Sequence, residues 1–253
     1  MNEKQLEAYL ERIGFPCEPT LDSVGLVALQ VAHLSHIPFD NMDSVLDQGV
    51  ADLSVDHLFE KMVEKRRGGI CYEQNSFFGY VLETIGFKVR HMSSHGDYPN
   101  AQEFDHMFLL VDIPGEEDSW ICDVGFGFNS HEPIRFIEGE WQSDGRDQIR
   151  VDLQDDGRYH LTRRIASGEE APMYSFLPKD HAVEEYLPRF RHFLFDEDSS
   201  FRKGPSVSID QEEGRKLLTQ HHLSYREKGE DISLEIPEDR WYQVLEEEFG
   251  ISV

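Results

Sequence analysis

Residues 66–75 read Arg-Arg-Gly-Gly-Ile-Cys-Tyr-Glu-Gln-Asn. Gly68 and Gly69 end one helical segment, and Cys71 opens the next. Glycines permit a tight turn and a close approach of another molecule to the backbone. A cysteine in the first turn of a helix meets the positive end of the helix dipole and unpaired N–H groups, which favour the thiolate. The stretch predicts a helical segment that presents a reactive cysteine. A buried cysteine in a helix–helix corner is an equally good interpretation of this position alone.

The composition of the chain limits its class and its partners. A length of 253 residues, 39% of them hydrophobic, is enough to bury a sizeable core. The net charge of −26 disfavours nucleic acids and anionic membranes as partners. A polar N-terminus and the absence of a long apolar run predict neither a signal peptide nor a membrane span. A phosphate-bearing ligand would need local basic residues or backbone N–H groups to oppose the overall negative field.

The cysteines and histidines indicate neither a disulfide framework nor a metal site. The three cysteines, Cys17, Cys71 and Cys122, are odd in number and widely spaced. A reducing, cytoplasmic setting is therefore expected, with Cys17 and Cys122 as ordinary small apolar residues. Histidines at four further positions lack the spacing of metal ligands, so no metal is predicted. These histidines are His91, His95, His221 and His222.

Hydrophobic periodicity predicts an α+β fold in three regions. Helices are expected over residues 3–13, 23–37, 55–65 and 71–85, with Asp22 or Ser23 as a cap and with stops at Pro38 and Gly86. Strands are expected over 87–95, 106–113, 119–124, 148–153 and 158–164. A helix over 181–195, which Pro188 should kink or divide, precedes strands at 206–210, 216–225 and 232–236 and a helix at 240–249.

Two further residues offer what a cysteine nucleophile needs, a base and a group that orients the base. His106 opens the apolar run 107–111, and Asp123 closes the apolar run 120–122. If these strands pair as an antiparallel hairpin, both side chains lie at the same end of the sheet. The carboxylate can then accept from one imidazole nitrogen and leave the other facing the sulfur. Taken singly, each residue is more often an edge-strand histidine or a turn aspartate.

These segments together resemble the arylamine N-acetyltransferases. Residues 67–75 resemble the active-site signature of that family. His106 and residues 123–127, Asp-Val-Gly-Phe-Gly, resemble its other two triad segments, in the same order. Residues 36–41 resemble a further family segment, with Asp40 where the family usually has Glu. The four motifs lie in the first half of the chain, and the second half shows only compatible patterning.

The resemblance implies a fold and an activity. The fold is a helical bundle over residues 1–86, a β-barrel over 87–195 and an α/β lid over 196–253, with a cysteine-protease-like core. The activity is transfer of an acetyl group from acetyl-CoA to an arylamine, hydrazine or N-hydroxyarylamine through an acetyl-cysteine, as in xenobiotic metabolism. The implied triad is Cys71, His106 and Asp123. The resemblance also implies an acceptor pocket lined by Phe39 and Phe126, cofactor contacts at Gly125 and Gly127, and supporting roles for Arg67 and Asn41.

Three alternatives stay open at this point. A Cys–His–Asp triad in this order also serves papain-like proteases and transglutaminases, although their cysteine signatures differ from residues 66–75. Amide synthases that close macrocyclic antibiotics resemble the same family. The acidic segments 116–118 and 246–248 would suit a catalytically silent binding or scaffold protein, but such runs are usually solvated surface.

Overall fold

The computed structural model describes residues 1–96, 101–126 and 131–252. The helices are α1 (Glu3–Arg12), α2 (Ser23–His36), α3 (Met42–Val45), α4 (Val55–Phe59), α5 (Cys71–Ile85), α6 (Leu187–Phe195) and α7 (Trp241–Phe249). Helix α4 continues into a π-helical turn, Glu60–Glu64. Within the described ranges, every helix is too short or too polar to cross a membrane.

Thirteen strands are described, almost all in the second and third regions of the chain. They are β1 (Phe39–Asp40), β2 (Lys88–Gly96), β3 (His106–Asp112), β4 (Trp120–Cys122), β5 (Ile134–Arg135), β6 (Gln142–Ser143), β7 (Gln148–Leu153), β8 (Tyr159–Arg164), β9 (Glu170–Asp180), β10 (Ser206–Gln211), β11 (Gly214–Thr219), β12 (His222–Glu227) and β13 (Glu230–Glu235).

The signals that start and stop the helices act as predicted. The Asp22 side chain caps α2 by accepting from the Gly25 N–H at 2.8 Å. Helix α2 ends at His36, two residues before Pro38. Helix α5 ends at Gly86, whose φ of 117° lies in the left-handed region.

Eight antiparallel strands form a nearly closed barrel, in the order β5-β4-β3-β2-β9-β8-β7-β6. The two edge strands meet through one side chain. Gln142 on β6 accepts from the Arg135 N–H on β5 at 2.9 Å and donates to the Arg135 carbonyl at 2.8 Å. Fully buried residues such as Phe108, Leu161 and Phe176 fill the interior.

A second sheet joins the two ends of the chain. Its order is β1-β10-β11-β12-β13, and β1 comes from the N-terminal region, with Phe39 opposite Ser208. Helix α7 covers one face of this sheet, where Trp241 and Leu245 pack in a cluster with Val207 and Leu218. The mixed helix and sheet architecture confirms the predicted α+β class. The domain boundaries at residues 86 and 195 stay predictions.

Four strands of the structure were not predicted, the two-residue strands β1, β5 and β6 and the long strand β9, and one predicted strand is divided. Strand β9 was not predicted, because Pro172 and Pro178 interrupt a segment that otherwise pairs with β2 and β8. The single strand predicted at residues 216–225 is two strands, β11 and β12, and the turn between them contains neither Gly nor Pro. Pro188 divides the predicted helix as expected: a 3₁₀ turn ends at Tyr186 and α6 begins at Leu187.

His33 is a buried polar residue at the centre of the helical region. Its Nε2 pairs with Gln74 Oε1 at 2.8 Å, and its Nδ1 pairs with the Tyr9 hydroxyl at 2.9 Å. Gln74 Nε2 donates to the Pro38 carbonyl, so Gln74 Oε1 accepts from the ring and Nδ1 accepts from Tyr9. Burial lowers the pKa of His33 to about 4, because the charged ring loses its hydration; the Gln74 bond opposes this only in part.

We expect acid to destabilise the protein through His33. The unfolded ring binds a proton near pH 6.5 and the folded ring near pH 4, so protonation favours unfolding. The stabilising contribution is complete above pH 6.5 and is lost progressively as the pH falls towards 4. Linkage gives a loss of about 2 kcal/mol between pH 7.5 and pH 5 from this residue. Denaturant unfolding of wild type and His33→Gln at both pH values measures it, and an identical pH dependence in the two proteins would contradict the assignment.

Candidate active site

Cys71 is the first residue of α5 and is 4% exposed. The turn before it depends on glycine, because a Cβ on Gly68 would lie 1.7 Å from the Pro38 carbonyl oxygen. The Gly68 N–H donates to Asp40 Oδ2 at 2.8 Å. The sequence therefore places the sulfur at a helix N-terminus, as predicted.

Asp40 and Arg67 stabilise this turn through hydrogen bonds. Arg67 Nη2 donates to Asp40 Oδ1 and to Asp43 Oδ1, each at 3.0 Å. Asp40, the residue at which the chain departs from the usual Glu of the family segment, reaches both the glycine turn and the guanidinium. These contacts suit the supporting role predicted for Arg67, which stays a prediction.

Asn41 connects the same region to the second sheet. Its Nδ2 donates to the carbonyls of Phe201 at 2.8 Å and Gly204 at 2.9 Å, and its Oδ1 accepts from the Ser206 N–H at 2.7 Å. Asn41 thus fastens the segment that leads into β10. Its support of the site is indirect in this structure and stays a prediction.

A buried ion pair that sequence reasoning missed anchors the start of α5. Glu73 Oε2 accepts from the Ile70 N–H at 3.0 Å, and Glu73 Oε1 pairs with Lys61 Nζ at 2.6 Å. Lys61 also contacts Asp43 at 2.7 Å. Burial opposes the charge on Lys61, but the surrounding carboxylates outweigh it and raise the pKa of the lysine. The π-helical turn that carries Lys61 has no clear signature in the sequence.

His106 and Asp123 come together as the predicted hairpin requires. Strands β3 and β4 pair antiparallel, with Leu109 opposite Cys122. His106 Nε2 lies 2.7 Å from Asp123 Oδ2, and the Cys71 side chain is close enough to help raise the pKa of the His106 ring. Since Nε2 faces the carboxylate, Nδ1 is the nitrogen available to the sulfur.

The electrostatics favour a protonated ring beside an ionised carboxylate. Burial opposes the charge on His106, but the charge and hydrogen bond of Asp123, together with Cys71, raise the pKa of His106 to about 10. Burial also opposes ionisation of Asp123, but His106 and the hydrogen bonds to the carboxylate lower the pKa of Asp123 below its ordinary value. A cationic ring beside a cysteine is the arrangement that nucleophilic cysteine sites use.

Asp123 is held by four groups besides His106. Its Oδ1 accepts from the N–H groups of Gly125 at 2.9 Å and Phe126 at 3.1 Å, and from Asn75 Nδ2 at 3.1 Å. Its Oδ2 accepts from the Tyr174 hydroxyl at 3.1 Å. This set fixes the carboxylate against rotation.

Sequence reasoning missed two of these partners. Asn75 lies four residues after Cys71, so its position on the same face of α5 was a usable signal. Tyr174 lies on β9, the strand that was not predicted, so no local signal identified it.

Two aromatic residues predicted to bind substrate border the triad. The Phe126 ring lies 5.0 Å from the His106 ring and 5.2 Å from the Tyr174 ring, measured between centroids. Phe39 packs against the buried cluster that contains Cys71, and its ring lies 6.1 Å from that of Phe201. The geometry suits an aromatic acceptor next to the sulfur. Both binding roles stay predictions.

Of the two glycines predicted to contact a cofactor, only Gly125 can be placed in the structure. Gly127 lies outside the described residues. Gly125 lies directly against Cys71: a Cβ there would be 2.6 Å from Cys71 Cα and 2.6 Å from Asn75 Nδ2. Its lack of a side chain is therefore needed for packing, whatever its contact with a cofactor.

We expect Gly125→Ala to lower catalytic efficiency by at least about a hundredfold. The added methyl must displace Cys71 or Asn75 by about 1 Å, and misplacement of this size can cost that factor. Gly204→Ala is the control, because a Cβ there meets only the end of the Gln220 side chain, at 3.5 Å. Steady-state kinetics, recorded under conditions in which the variants and wild type are equally folded, measure the loss of catalytic efficiency. Full activity of Gly125→Ala would contradict the tight packing described above.

Among the described residues, one group of side chains could hold a metal ion. It consists of His192, Asp196 and Asp198 at the end of α6, with the two aspartates exposed. Exposed acidic groups of this kind are common without an ion. The prediction that the protein needs no metal stays a prediction.

Comparison with known families agrees with this geometry. A family profile described as N-acetyltransferase matches residues 20–253. The fold and the site therefore define an N-acetyltransferase.

Individual relatives narrow this class. The arylamine N-acetyltransferase of Mycolicibacterium smegmatis is 33% identical over 230 residues, which cover 88% of this chain and 83% of that protein. The structure of the Mycobacterium marinum arylamine N-acetyltransferase in complex with CoA matches with a TM-score of 0.90 at 27% identity, covering 97% of this chain and 92% of that chain. Proansamycin X synthase of Amycolatopsis mediterranei is 32% identical over 182 residues, which cover 70% of this chain and 68% of that protein.

The chain belongs to the arylamine N-acetyltransferase family. This membership confirms the resemblance seen in the sequence and the enzyme class that it implied. It sets aside the alternatives of a papain-like protease, a transglutaminase and a silent acidic protein.

Proposed function

We propose that this protein transfers an acetyl group from acetyl-CoA to arylamines, hydrazines or N-hydroxyarylamines through an acetyl-cysteine at Cys71. The observation that carries the proposal is the burial of Cys71, His106 and Asp123 together, with 2.7 Å between the ring and the carboxylate and with Cys71 close enough to help raise the pKa of the ring. The CoA complex of the M. marinum enzyme supports coenzyme A as the donor.

In the first half-reaction the Cys71 thiolate attacks the thioester carbonyl carbon of acetyl-CoA. The negative charge that develops on the carbonyl oxygen would be met by free N–H groups in the first turn of α5. The carbon–sulfur bond to coenzyme A breaks, and the His106 imidazolium gives its proton to the departing thiolate. Acetyl-cysteine and a neutral His106 remain.

In the second half-reaction the acceptor nitrogen attacks the acetyl carbon. His106 takes the proton that the nitrogen loses, and the Cys71 thiolate departs to restore the ion pair. Because the first product leaves before the acceptor enters, the kinetics are ping-pong. A sulfur nucleophile suits this exchange, since the thiolate of coenzyme A and that of Cys71 are similar leaving groups.

The aromatic surroundings favour a flat apolar acceptor. Phe39, Phe126 and Phe201 offer ring faces or edges near the sulfur and the imidazole, and aromatic pairs of this kind add to the gain from burying apolar area. An arylamine or arylhydrazine would place its ring there and its nitrogen towards Cys71.

Mass spectrometry of the intact protein and of its proteolytic peptides tests the central step. Wild-type protein mixed with acetyl-CoA, without acceptor, is expected to gain one acetyl group on the Cys71 peptide and to release one equivalent of coenzyme A. Addition of an arylamine or hydrazine should remove the acetyl group and form the amide. An unmodified Cys71 peptide under these conditions would refute the proposal.

The similarity to proansamycin X synthase favours a second candidate, an amide synthase of the kind that closes macrocyclic antibiotics. The same cysteine would take the long acyl chain in place of acetyl. A comparison of acetyl-CoA with longer acyl thioesters, using mass gain at Cys71, separates the two activities. Acylation by the long thioesters alone would favour the synthase.

A further inference from the structure

Five charged side chains, three carboxylates and two cations, lie together at the start of α5. Lys61 Nζ lies 2.6 Å from Glu73 Oε1 and 2.7 Å from Asp43 Oδ2. Arg67 Nη2 lies 3.0 Å from Asp40 Oδ1 and 3.0 Å from Asp43 Oδ1. The side chains of Lys61 and Glu73 are 8% and 2% exposed, so solvent and salt screen this pair far less than a surface pair.

The Glu73 carboxylate lies against the turn that leads into Cys71. Its Oε2 accepts from the Ile70 N–H at 3.0 Å, the backward contact that a glutamate makes in the first turn of a helix. A Cβ on Gly69 would lie 2.7 Å from the same oxygen. Because Ile70 is bonded directly to Cys71, a displaced carboxylate would displace the backbone that carries the sulfur.

A second carboxylate, Asp40, holds the preceding residues of the turn. Its Oδ2 accepts from the Gly68 N–H at 2.8 Å, and its own N–H donates to the Gly69 carbonyl at 3.1 Å. Asp40 pairs with Arg67. Each half of the turn is therefore bonded to a buried carboxylate that has its own cation.

Lys61 compensates the charge of Glu73. Burial raises the pKa of Glu73, and the charge of Lys61 is the strongest influence against this rise, whereas the charge of Asp43 reinforces it. Without Lys61, Arg67 would face three carboxylates, and a buried carboxylate that has lost its partner is strongly destabilising. The ionised Glu73 side chain is then expected to turn towards water and to release the Ile70 N–H.

We propose that Lys61 is a positioning residue for acetyl transfer: its ammonium group holds the Glu73 carboxylate against the turn, and the turn presents Cys71 to the thioester. Lys61 and Glu73 act through the backbone and not on the reacting atoms. The inference rests on the proposed function, because it concerns the placement of the proposed nucleophile. A displacement of about 1 Å can lower a rate about a hundredfold, so release of the turn is expected to slow acetylation measurably.

The test compares three variants and a control. Lys61→Met removes the positive charge, and Glu73→Gln removes the negative charge but keeps an oxygen that can accept from the Ile70 N–H. The double variant Lys61→Met/Glu73→Gln leaves no unpaired charge at either position, so it is expected to fold. Lys65→Met is the matched control, because Lys65 is 63% exposed and its partner Glu60 is 53% exposed. Denaturant unfolding identifies conditions in which each protein is folded.

The measured quantity is the rate at which saturating acetyl-CoA acetylates Cys71 in a single turnover, across pH 5–9. Relative to wild type, Lys61→Met should be only slightly slower at low pH, where Glu73 is protonated. Its deficit should grow to about tenfold or more as the pH rises and the unpartnered carboxylate ionises. The double variant lacks this carboxylate, so its rate should equal that of Glu73→Gln at every pH. Lys65→Met should match wild type.

Three results would overturn the inference. The first is a folded Lys61→Met protein that acetylates Cys71 at the wild-type rate throughout the pH range. The second is a deficit that stays constant with pH, which would assign Lys61 a structural role alone. The third is a double variant about tenfold or more slower than Glu73→Gln, since Lys61 would then act by a route other than Glu73. This last comparison decides the question even if Lys61→Met alone does not fold.

Failure of wild-type protein to take acetyl on Cys71 refutes the proposed function itself, and that result is visible without any variant. Iodoacetamide alkylation of Cys71 needs no acetyl donor and should rank the variants in the same order. It is measured in a Cys17→Ala background, since Cys17 is exposed. The effect of Lys61 on Cys71 is therefore tested even if acetyl-CoA is not the donor.

Discussion

Cys71→Ala is expected to lower turnover by about 10⁶-fold, as removal of the nucleophile does in other triads. Without the sulfur no acetyl-enzyme can form, and the remaining groups can only orient the donor and acceptor. No other cysteine can replace it. Cys122 is fully buried, and burial together with the adjacent Asp123 raises the pKa of its thiol. Cys17 is exposed and lies between α1 and α2.

The experiment uses a Cys17→Ala background, so that alkylation and acetylation report on Cys71 alone. Release of coenzyme A without acceptor and mass gain on the protein are measured for Cys71, Cys71→Ala and Cys71→Ser. The serine variant keeps the shape of the side chain, but its hydroxyl ionises far less readily than a thiol. An acetyl group on any other side chain of the alanine variant, with turnover retained, would show that the nucleophile lies elsewhere.

Asp123→Asn is expected to lower turnover by about 10⁴-fold, the cost of the equivalent change in a serine triad. The amide keeps the shape but loses the negative charge that holds the ring. In wild type the carboxylate keeps the pKa of His106 at about 10, so the imidazolium persists at neutral pH. Without the carboxylate, burial favours the neutral ring, and the ring no longer places a positive charge beside Cys71.

The rate of iodoacetamide alkylation of Cys71 across pH 5–9 is a readout separate from turnover. Wild type should react over the whole range, whereas Asp123→Asn should react slowly near pH 7 and faster as the pH rises. Asp112→Asn is the matched control. Asp112 is the last residue of β3, the strand that begins at His106, but its carboxylate pairs with Arg90 and Lys88. Equal alkylation profiles for Asp123→Asn and wild type would exclude an ion pair maintained by the Asp123 carboxylate.

Local signals predicted the start of α5, which carries Cys71, and the strands that carry His106 and Asp123. The glycine turn before Cys71 and the glycine stop at residue 86 act over a few residues, and they were read correctly from the sequence. The apolar runs that predicted β3 and β4 also placed His106 and Asp123 at one end of a hairpin, because neighbouring strands in sequence usually pair.

Long-range packing set the features that no window of sequence contains. Strand β9 tolerates its prolines because β2 and β8 flank it, and β1 is a strand only because β10 pairs with it. The Lys61–Glu73 ion pair at the start of α5 is likewise set by packing and has no signal in any single window of sequence.

In the site, too, local sequence patterns determine some features and long-range packing determines the others. The types of the three proposed triad residues and the helix and strands that carry them follow from local patterns, because turn formation, helix ends and apolar runs are short-range features. The alignment of the three side chains with one another does not follow from local patterns. Asn75 and Tyr174 reach Asp123 across 48 and 51 residues of chain, and the influence of Cys71 on the pKa of His106 likewise links α5 to the barrel. Such contacts arise only when apolar burial packs the helical region against the barrel, since burial is non-directional and leaves no motif that names the partners.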